Sequence, residues 1–493
     1  MSAGAVDETI KTGPAQGWRS RLKALRRGAG VWAMADQGVV SLGNFLTVIV
    51  LARFLPLVEF GAYAVLFEVV LFLNSIAASL ITYPLSVKGA AAERDVVRRL
   101  TGASVVMTLL LGVPLGIATL GGALAVGRVS LAPWIIAAMI LWQLQEALRR
   151  ALTAHLRFST ALPGDAISYL GQAFLLVLLV WHGHMTLETA FFVMAVTSLI
   201  AGAVQWIQVK PLFPGRTEFV GLTRQFWKTG NWAMLSNLTT VITIPSFAWV
   251  LGLFQGLAAV AIYQSFANLL KVANPVMSAI VNLIIPAGSR GKRDGGVTRA
   301  WERSGTYAFQ GAAILFPYFI PLLVMPRFVI GMCYGPHSAC LDHVNILRVF
   351  VAGYIVIYLS QITNAFLLSL DASRSAFIAQ LSNVGGCIAI GLPMTALAGM
   401  TGAVWGNLVS TAARVIAGVI LIRRIARQDL IGPAPADDGQ KTKVASCSLP
   451  RYSRGGPGRG LRVASLLSKP PPLPSPGVPE EGEKPCSIFM AAK

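Results

Sequence analysis

Charge is scarce in this sequence. Of its 493 residues, 13% are Asp, Glu, Lys or Arg, against roughly a quarter in soluble domains, and the mean hydropathy is +0.64. That shortage excludes an ordinary soluble globular protein. Acid is scarcer still, with 21 Asp and Glu facing 41 Lys and Arg for a formal charge of +20. On an apolar background this basic excess points to cytoplasmic loops of a membrane protein, and no nucleic-acid partner is expected. Five cysteines, none paired at the spacing of a zinc ribbon or redox motif, exclude a disulfide scaffold. No Walker A sequence is present, so the chain is not expected to hydrolyse ATP, and no cofactor is expected.

What fills the chain instead is a series of long apolar stretches. The segment 1–30 is polar and basic, and the apolar run after it ends without a small-residue cleavage pattern, which reads as a retained signal anchor. At roughly 20 apolar residues per span, helices 1 to 6 are predicted at about 31–52, 60–82, 100–126, 131–148, 164–181 and 187–208. Helices 7 to 12 follow at about 230–252, 257–287, 304–326, 344–368, 374–397 and 401–422. The fold class is therefore an all-α polytopic membrane protein with twelve transmembrane helices.

Loop charge orients these spans. The even-numbered connections carry Lys88, Arg94, Arg98 and Arg99, then Arg149, Arg150 and Arg157, and further basic groups down to Arg374, whereas the odd-numbered ones carry only Arg53, Arg128 and Arg327. Both termini are predicted to be cytoplasmic. The organisation expected is a basic segment (1–30), an N-terminal six-helix bundle (31–208), a cytoplasmic linker (209–229), a C-terminal six-helix bundle (230–422) and a disordered, Pro-rich cytoplasmic tail (423–493).

The two bundles repeat one another. At an offset of 200, Gly30, Trp32, Ala33 and Met34 meet Gly230, Trp232, Ala233 and Met234. Continuing without a gap, Val50, Leu51, Phe54, Leu57, Tyr63 and Asn74 meet Val250, Leu251, Phe254, Leu257, Tyr263 and Asn274. Six spans return the chain to its starting side, so the repeat is parallel, an arrangement in which transporters place substrate between halves.

Polar side chains in these helices fall on narrow faces. Helix 8 carries Gln264, Asn268, Lys271, Asn274, Ser278 and Asn282 at helical spacing. Helix 1 carries Gln37, Ser41, Asn44 and Thr47; helix 2 Glu68, Ser75, Ser79 and Thr82; helix 7 Ser236, Thr239, Thr240 and Thr243. Helix 10 adds Tyr354, Tyr358, Gln361 and Asn364, and helix 12 adds Asn407, Ser410, Thr411 and Arg414. Hydroxyls and amides at such spacing also glue helices together, and for helix 7 that reading is favoured. Lys271 lies about 20 Å along its helix, too deep to snorkel, and is expected to face a wet cavity, an anion or the similarly deep Glu68. Ion pairing and substrate binding both stand as readings of these two positions. Asp36, near the cytoplasmic end of helix 1, is expected to be solvated, and Glu146, Arg149 and Arg150 to serve topology. Pro245, Pro275, Pro317 and Pro321 are expected to interrupt helices 7, 8 and 9.

Three blocks then point to a family. Ala35-Asp36-Gln37-Gly38 through Asn44-Phe45, then Leu51-Ala52-Arg53-Phe54-Leu55, then Glu59-Phe60-Gly61-Ala62-Tyr63-Ala64 resemble the start of the polysaccharide-transporter, or Wzx-type, branch of the MOP flippase superfamily. The resemblance extends across about 30–425 in helix count and loop pattern. It implies two six-helix bundles around a cavity lined chiefly by helices 1, 2, 7 and 8. It also implies translocation of an undecaprenyl-diphosphate-linked oligosaccharide across the bacterial inner membrane by alternating access, in exopolysaccharide or lipopolysaccharide biosynthesis. Membrane lipid, a polymerase and chain-length or export proteins are the partners so implied. Arg53, Lys271 and Arg414 are the candidates for meeting the diphosphate and acidic sugars, with Asn44, Gln264, Asn268 and Asn274 beside them; Glu68, then Asp36, are the candidates for ion coupling.

Other readings carry less weight. Cys333, His337, Cys340 and His343 in one outer loop match no common zinc spacing, so no metal is expected; a Cys333–Cys340 disulfide and two free thiols are the alternatives. A cation-coupled multidrug antiporter would have an acidic pocket in the N-terminal half without deep cations, against which Lys271 speaks. A glycan polymerase would carry a large outer loop with basic catalytic residues. A transporter, not an enzyme, is expected.

Overall fold

A computed structural model describes residues 29–90 and 92–431, and within them every regular element is helical. A bilayer offers no partner to backbone N–H and C=O groups, so these apolar runs satisfy them internally. The N-terminal half comprises α1 (Ala29–Phe54), α2 (Leu57–Gly89), α3 (Arg94–Ala125), α4 (Ala132–Ala154), α5 (Phe158–Trp181) and α6 (Leu187–Val209). The C-terminal half comprises α7 (216–255), α8 (257–294), α9 (297–324), α10 (Val344–Ser369), α11 (373–398) and α12 (400–431), with a short helix, Pro326–Tyr334, between α9 and α10. Most of the predicted basic segment and of the tail, including Cys447 and Cys486, lies outside the described residues.

Among the described residues nine helical stretches are long and apolar enough to cross a membrane. Two of them hold a pair of rods each, divided at Gly295–Gly296 and at Gly399. With the more polar α7 added, the rods are consistent with the twelve expected crossings. Both divisions are tied down by side chains. The Asp429 carboxylate of α12 accepts the Val297 N–H at 2.9 Å, capping α9. Gly399 has φ +57, and Gln255 at the end of α7 accepts the Met400 N–H at 3.0 Å.

The prolines act unequally. α7 bends at Ile242, three residues before Pro245, and α8 breaks between Lys271 and Asn274, beside Pro275. By contrast α9 runs through Pro317 and Pro321 without interruption, so only two of the three expected breaks form. Both α5 and α11, equivalent in the repeat, carry a π-helical turn, Ala166–Leu170 and Cys387–Gly391.

Each half has its own core. In the N-terminal half α4 packs on α3 and α6, and α1 on α5; in the C-terminal half α10 packs on α12 and α11 on α12. The seam runs between α2 and the first segment of α8, where Ala52, Leu57, Val126 and Leu257 pack against both cores. There the backbones nearly touch: a Cβ on Gly61 would stand 1.8 Å from the Leu257 carbonyl oxygen, so only glycine fits.

Candidate functional site

Two cavities lie on either side of α8. The larger, about 500 Å³, is bounded by α8, α10, α11 and α12, with Glu68 of α2 and Thr243 of α7. The smaller, about 370 Å³, is bounded by α1, α2, α4 and α8. Four residues line both: Gln264, Lys271, Asn274 and Ser278. The polar stripe of α8 is thus the partition between two spaces, and its narrowness in the sequence has this structural meaning.

The partition is broken where its charge sits. The first segment of α8 ends at Lys271 and the helix resumes at Asn274. Pro275 has no N–H for the Lys271 carbonyl four residues back, so that carbonyl lacks its helical donor. Lys271 Nζ stands 3.8 Å from Glu68 Oε1, and the lysine side chain is 38% exposed against 7% for the glutamate. Gln264 donates to the same Oε1 at 3.4 Å, and Asn268 donates to the Phe45 carbonyl of α1 at 3.3 Å. These bonds hold α8 against α1 and α2 while leaving the lysine side chain partly exposed to both cavities.

The remaining predicted residues are distributed unevenly. Asn44, Gln37 and Ser41 of α1 line the smaller cavity, as does Asn268; Arg414, Asn407 and Thr411 of α12 line the larger. Arg53 lines neither. It lies exposed at the end of α1, its guanidinium 5.7 Å from the Phe54 ring centroid. Ser79 and Thr82 turn away from both cavities: their hydroxyls donate to carbonyls of their own helix at 2.8 and 3.1 Å, and Asn237 of α7 donates to Ser79 Oγ at 3.2 Å. That is the gluing role. Ser236 and Thr240 side chains lie outside the described residues.

Asp36 is not solvated. It is 2% exposed and accepts from Arg149 Nη2 at 2.6 Å, while Arg149 Nε donates to Asp165 Oδ2 at 2.7 Å. Gln145 and Gln205 each donate to Asp165 Oδ1 at 3.2 Å, and Glu146 lies 3.3 Å from Arg149 Nη1. Arg149, 11% exposed, is therefore the centre of a buried charge cluster joining α1, α4, α5 and α6 rather than a topology signal. Of that trio only Arg150 is exposed, bonded to Glu146 at 2.6 Å.

Sequence reasoning missed part of the lining. Trp142 of α4 walls the smaller cavity and donates to Tyr169 at 3.2 Å; Gln380 and Asn383 of α11, three residues apart, line the larger one. Helices 4, 10, 11 and 12 accordingly contribute more, and helix 7 less, than the resemblance implies. Between α9 and α10 Cys333 and Cys340 are free thiols, and no group of three or more metal-ligating side chains occurs among the described residues.

This architecture defines a multi-pass membrane protein with the MOP-superfamily transporter fold. An inward-facing MATE multidrug-resistance transporter of that superfamily matches with TM-score 0.66 at 14% identity, over 80% of this chain and 96% of that one. The lipid II flippase MurJ, in an inward closed conformation, matches with TM-score 0.62 at 12% identity, over 80% and 90%. A MOP-superfamily transporter from Pyrococcus furiosus matches with TM-score 0.52 at 15% identity, over 82% and 95%. Among curated proteins none matches. The sequence model of the polysaccharide biosynthesis protein family matches residues 25–292, more than half of the chain, and the protein belongs to that family.

Proposed function

We propose that the protein is a flippase that moves a polyprenyl-diphosphate-linked oligosaccharide from the cytoplasmic to the periplasmic leaflet of a bacterial inner membrane by alternating access. Both termini lie on the cytoplasmic side in this reading, and a polymerase with chain-length or export proteins takes the product on into exopolysaccharide or lipopolysaccharide. The observation that carries it is the broken α8 with Lys271 at the break, open to a cavity on each side. An ammonium so placed meets a diphosphate from either half. The amides of Asn44, Gln264, Asn268 and Asn274 supply hydrogen bonds to sugar hydroxyls, and the seam at Gly61 and Leu257 is the periplasmic closure.

The test is translocation in proteoliposomes of a short-chain polyprenyl-diphosphate disaccharide with a fluorescent label, read by quenching from outside. Wild type is expected to move it, and Lys271→Ala to lose at least tenfold in rate at equal protein content. Equal rates in the two would remove Lys271 from the mechanism, and no movement by wild type would sink the flippase reading. One observation favours an antiporter: the buried acids Asp36 and Asp165 of the N-terminal half. Arg149 occupies the space between them, so that cluster already holds its cation.

A further inference from the structure

Three side chains of the C-terminal half, two of them buried and the third, Arg414, half-buried, hold polar atoms against the larger cavity without partners. Ser360 of α10 is 2% exposed and Gln380 of α11 is 7% exposed, and the Ser360 Oγ, Gln380 Oε1 and Gln380 Nε2 atoms have no hydrogen-bond partner among the described residues. The same is true of Nε of Arg414 on α12, and Arg414 makes no ion pair among the described residues. Buried polar atoms are nearly always satisfied, so three such residues around one space point to a ligand that satisfies them.

Charge says which kind. The cavity lining holds two cations, Lys271 and Arg414, and one acid, Glu68. That acid is already engaged by Lys271 and Gln264, which leaves Arg414 as the uncompensated positive group. A guanidinium grips two oxygens of a carboxylate or phosphate in parallel, and the Gln380 amide and Ser360 hydroxyl are further donors suited to oxyanions. A neutral sugar would leave the half-buried guanidinium without a counter-charge. The volume of about 500 Å³ lies in the range of small-molecule sites, about 300–1,000 Å³.

We infer that Arg414, Gln380 and Ser360 form an oxyanion-binding subsite, separate from the Lys271 position, that takes an acidic substituent of the glycan. The cargo is then an acidic lipid-linked oligosaccharide, its charge a sugar carboxylate or a sugar phosphate. The identity of the carrier rests on the flippase reading; the anion subsite does not.

The experiment measures binding to the full-length protein in nanodiscs. Four probes are used: a short-chain polyprenyl diphosphate bearing a neutral disaccharide, the same with a glucuronate, the same with a phosphosugar, and free glucuronate. Wild type is expected to prefer a charged glycan about tenfold or more, and the better of the two charged probes identifies the group. Arg414→Gln is expected to erase that preference while leaving the neutral probe within about twofold, and Arg414→Lys to keep part of it. Equal affinity of wild type for all lipid-linked probes, or equal loss on neutral and charged probes in Arg414→Gln, overturns the subsite. Should Arg414→Gln fail to accumulate, Ser360→Ala and Gln380→Leu must each weaken the charged probes a few-fold and spare the neutral one; no such selectivity also overturns it. Arg414-dependent binding of free glucuronate with no binding of any lipid-linked probe would sustain the subsite and sink the flippase reading.

Discussion

Lys271 and Glu68 face one another across the seam between the two halves, 3.8 Å apart, and each belongs to a different six-helix bundle. A ligand anion that reaches Lys271 competes with a carboxylate of this chain. Glu68→Gln is therefore expected to strengthen binding of a short-chain polyprenyl diphosphate by about three- to tenfold, measured at fixed pH in nanodiscs. Weaker binding would mean that the Glu68 charge positions the lysine rather than competing for it.

The buried cluster around Arg149 predicts a stability effect distant from both cavities. Arg149→Met strands Asp36 and Asp165, which are 2% and 0% exposed, and should cost about 3–5 kcal/mol. The readout is the melting temperature in detergent. Adding Asp36→Asn and Asp165→Asn to the same chain removes the stranded charges and should restore most of the loss; a triple variant no better than the single one would show that shape, not charge, is at issue.

At the seam, Gly61→Ala puts a methyl group where the Leu257 carbonyl lies. The halves must part there, so the closed end should leak. A cysteine introduced at Asn44, inside the smaller cavity, should react faster with an impermeant maleimide in the Gly61→Ala background. Unchanged labelling from both membrane faces would place the closure elsewhere.

Cys333 gives a pH-dependent prediction. It is half-buried and free, and burial pushes its thiol above the ordinary value of 9.0. Since a raised thiol pKa means less thiolate at a given pH, maleimide labelling at pH 8 should be slower than for an exposed cysteine and should still be climbing at pH 9. Reductant should leave the melting temperature unchanged, and a drop on reduction would reveal a Cys333–Cys340 bridge.

Much of the fold was legible because hydrophobic length is a local signal. So was the polar face of α8, set by spacing alone; that it stands between two cavities was not. The Arg149 cluster was not legible: Asp36 and Arg149 are 113 positions apart, and an acid near a helix end looks the same in sequence whether water or a guanidinium covers it. Arg53 misled for a related reason. Its place in a family-like block carried no information on which way it turns, and it turns outward. Gln380 and Asn383 are two residues on one helix, too few for a stripe, and only their shared cavity with Arg414 gives them weight.

The break in α8 has a mechanical consequence. Its first segment packs on α1 and α2, and its second runs on within the C-terminal half toward α9. A relative rotation of the halves would bend the chain at the two residues between those segments, beside Lys271. The ammonium then sits near the pivot, where displacement is smallest, while the helix ends sweep the largest arcs. In the proposed flippase, a head group held by Lys271 would stay almost still as the membrane face it sees is exchanged around it.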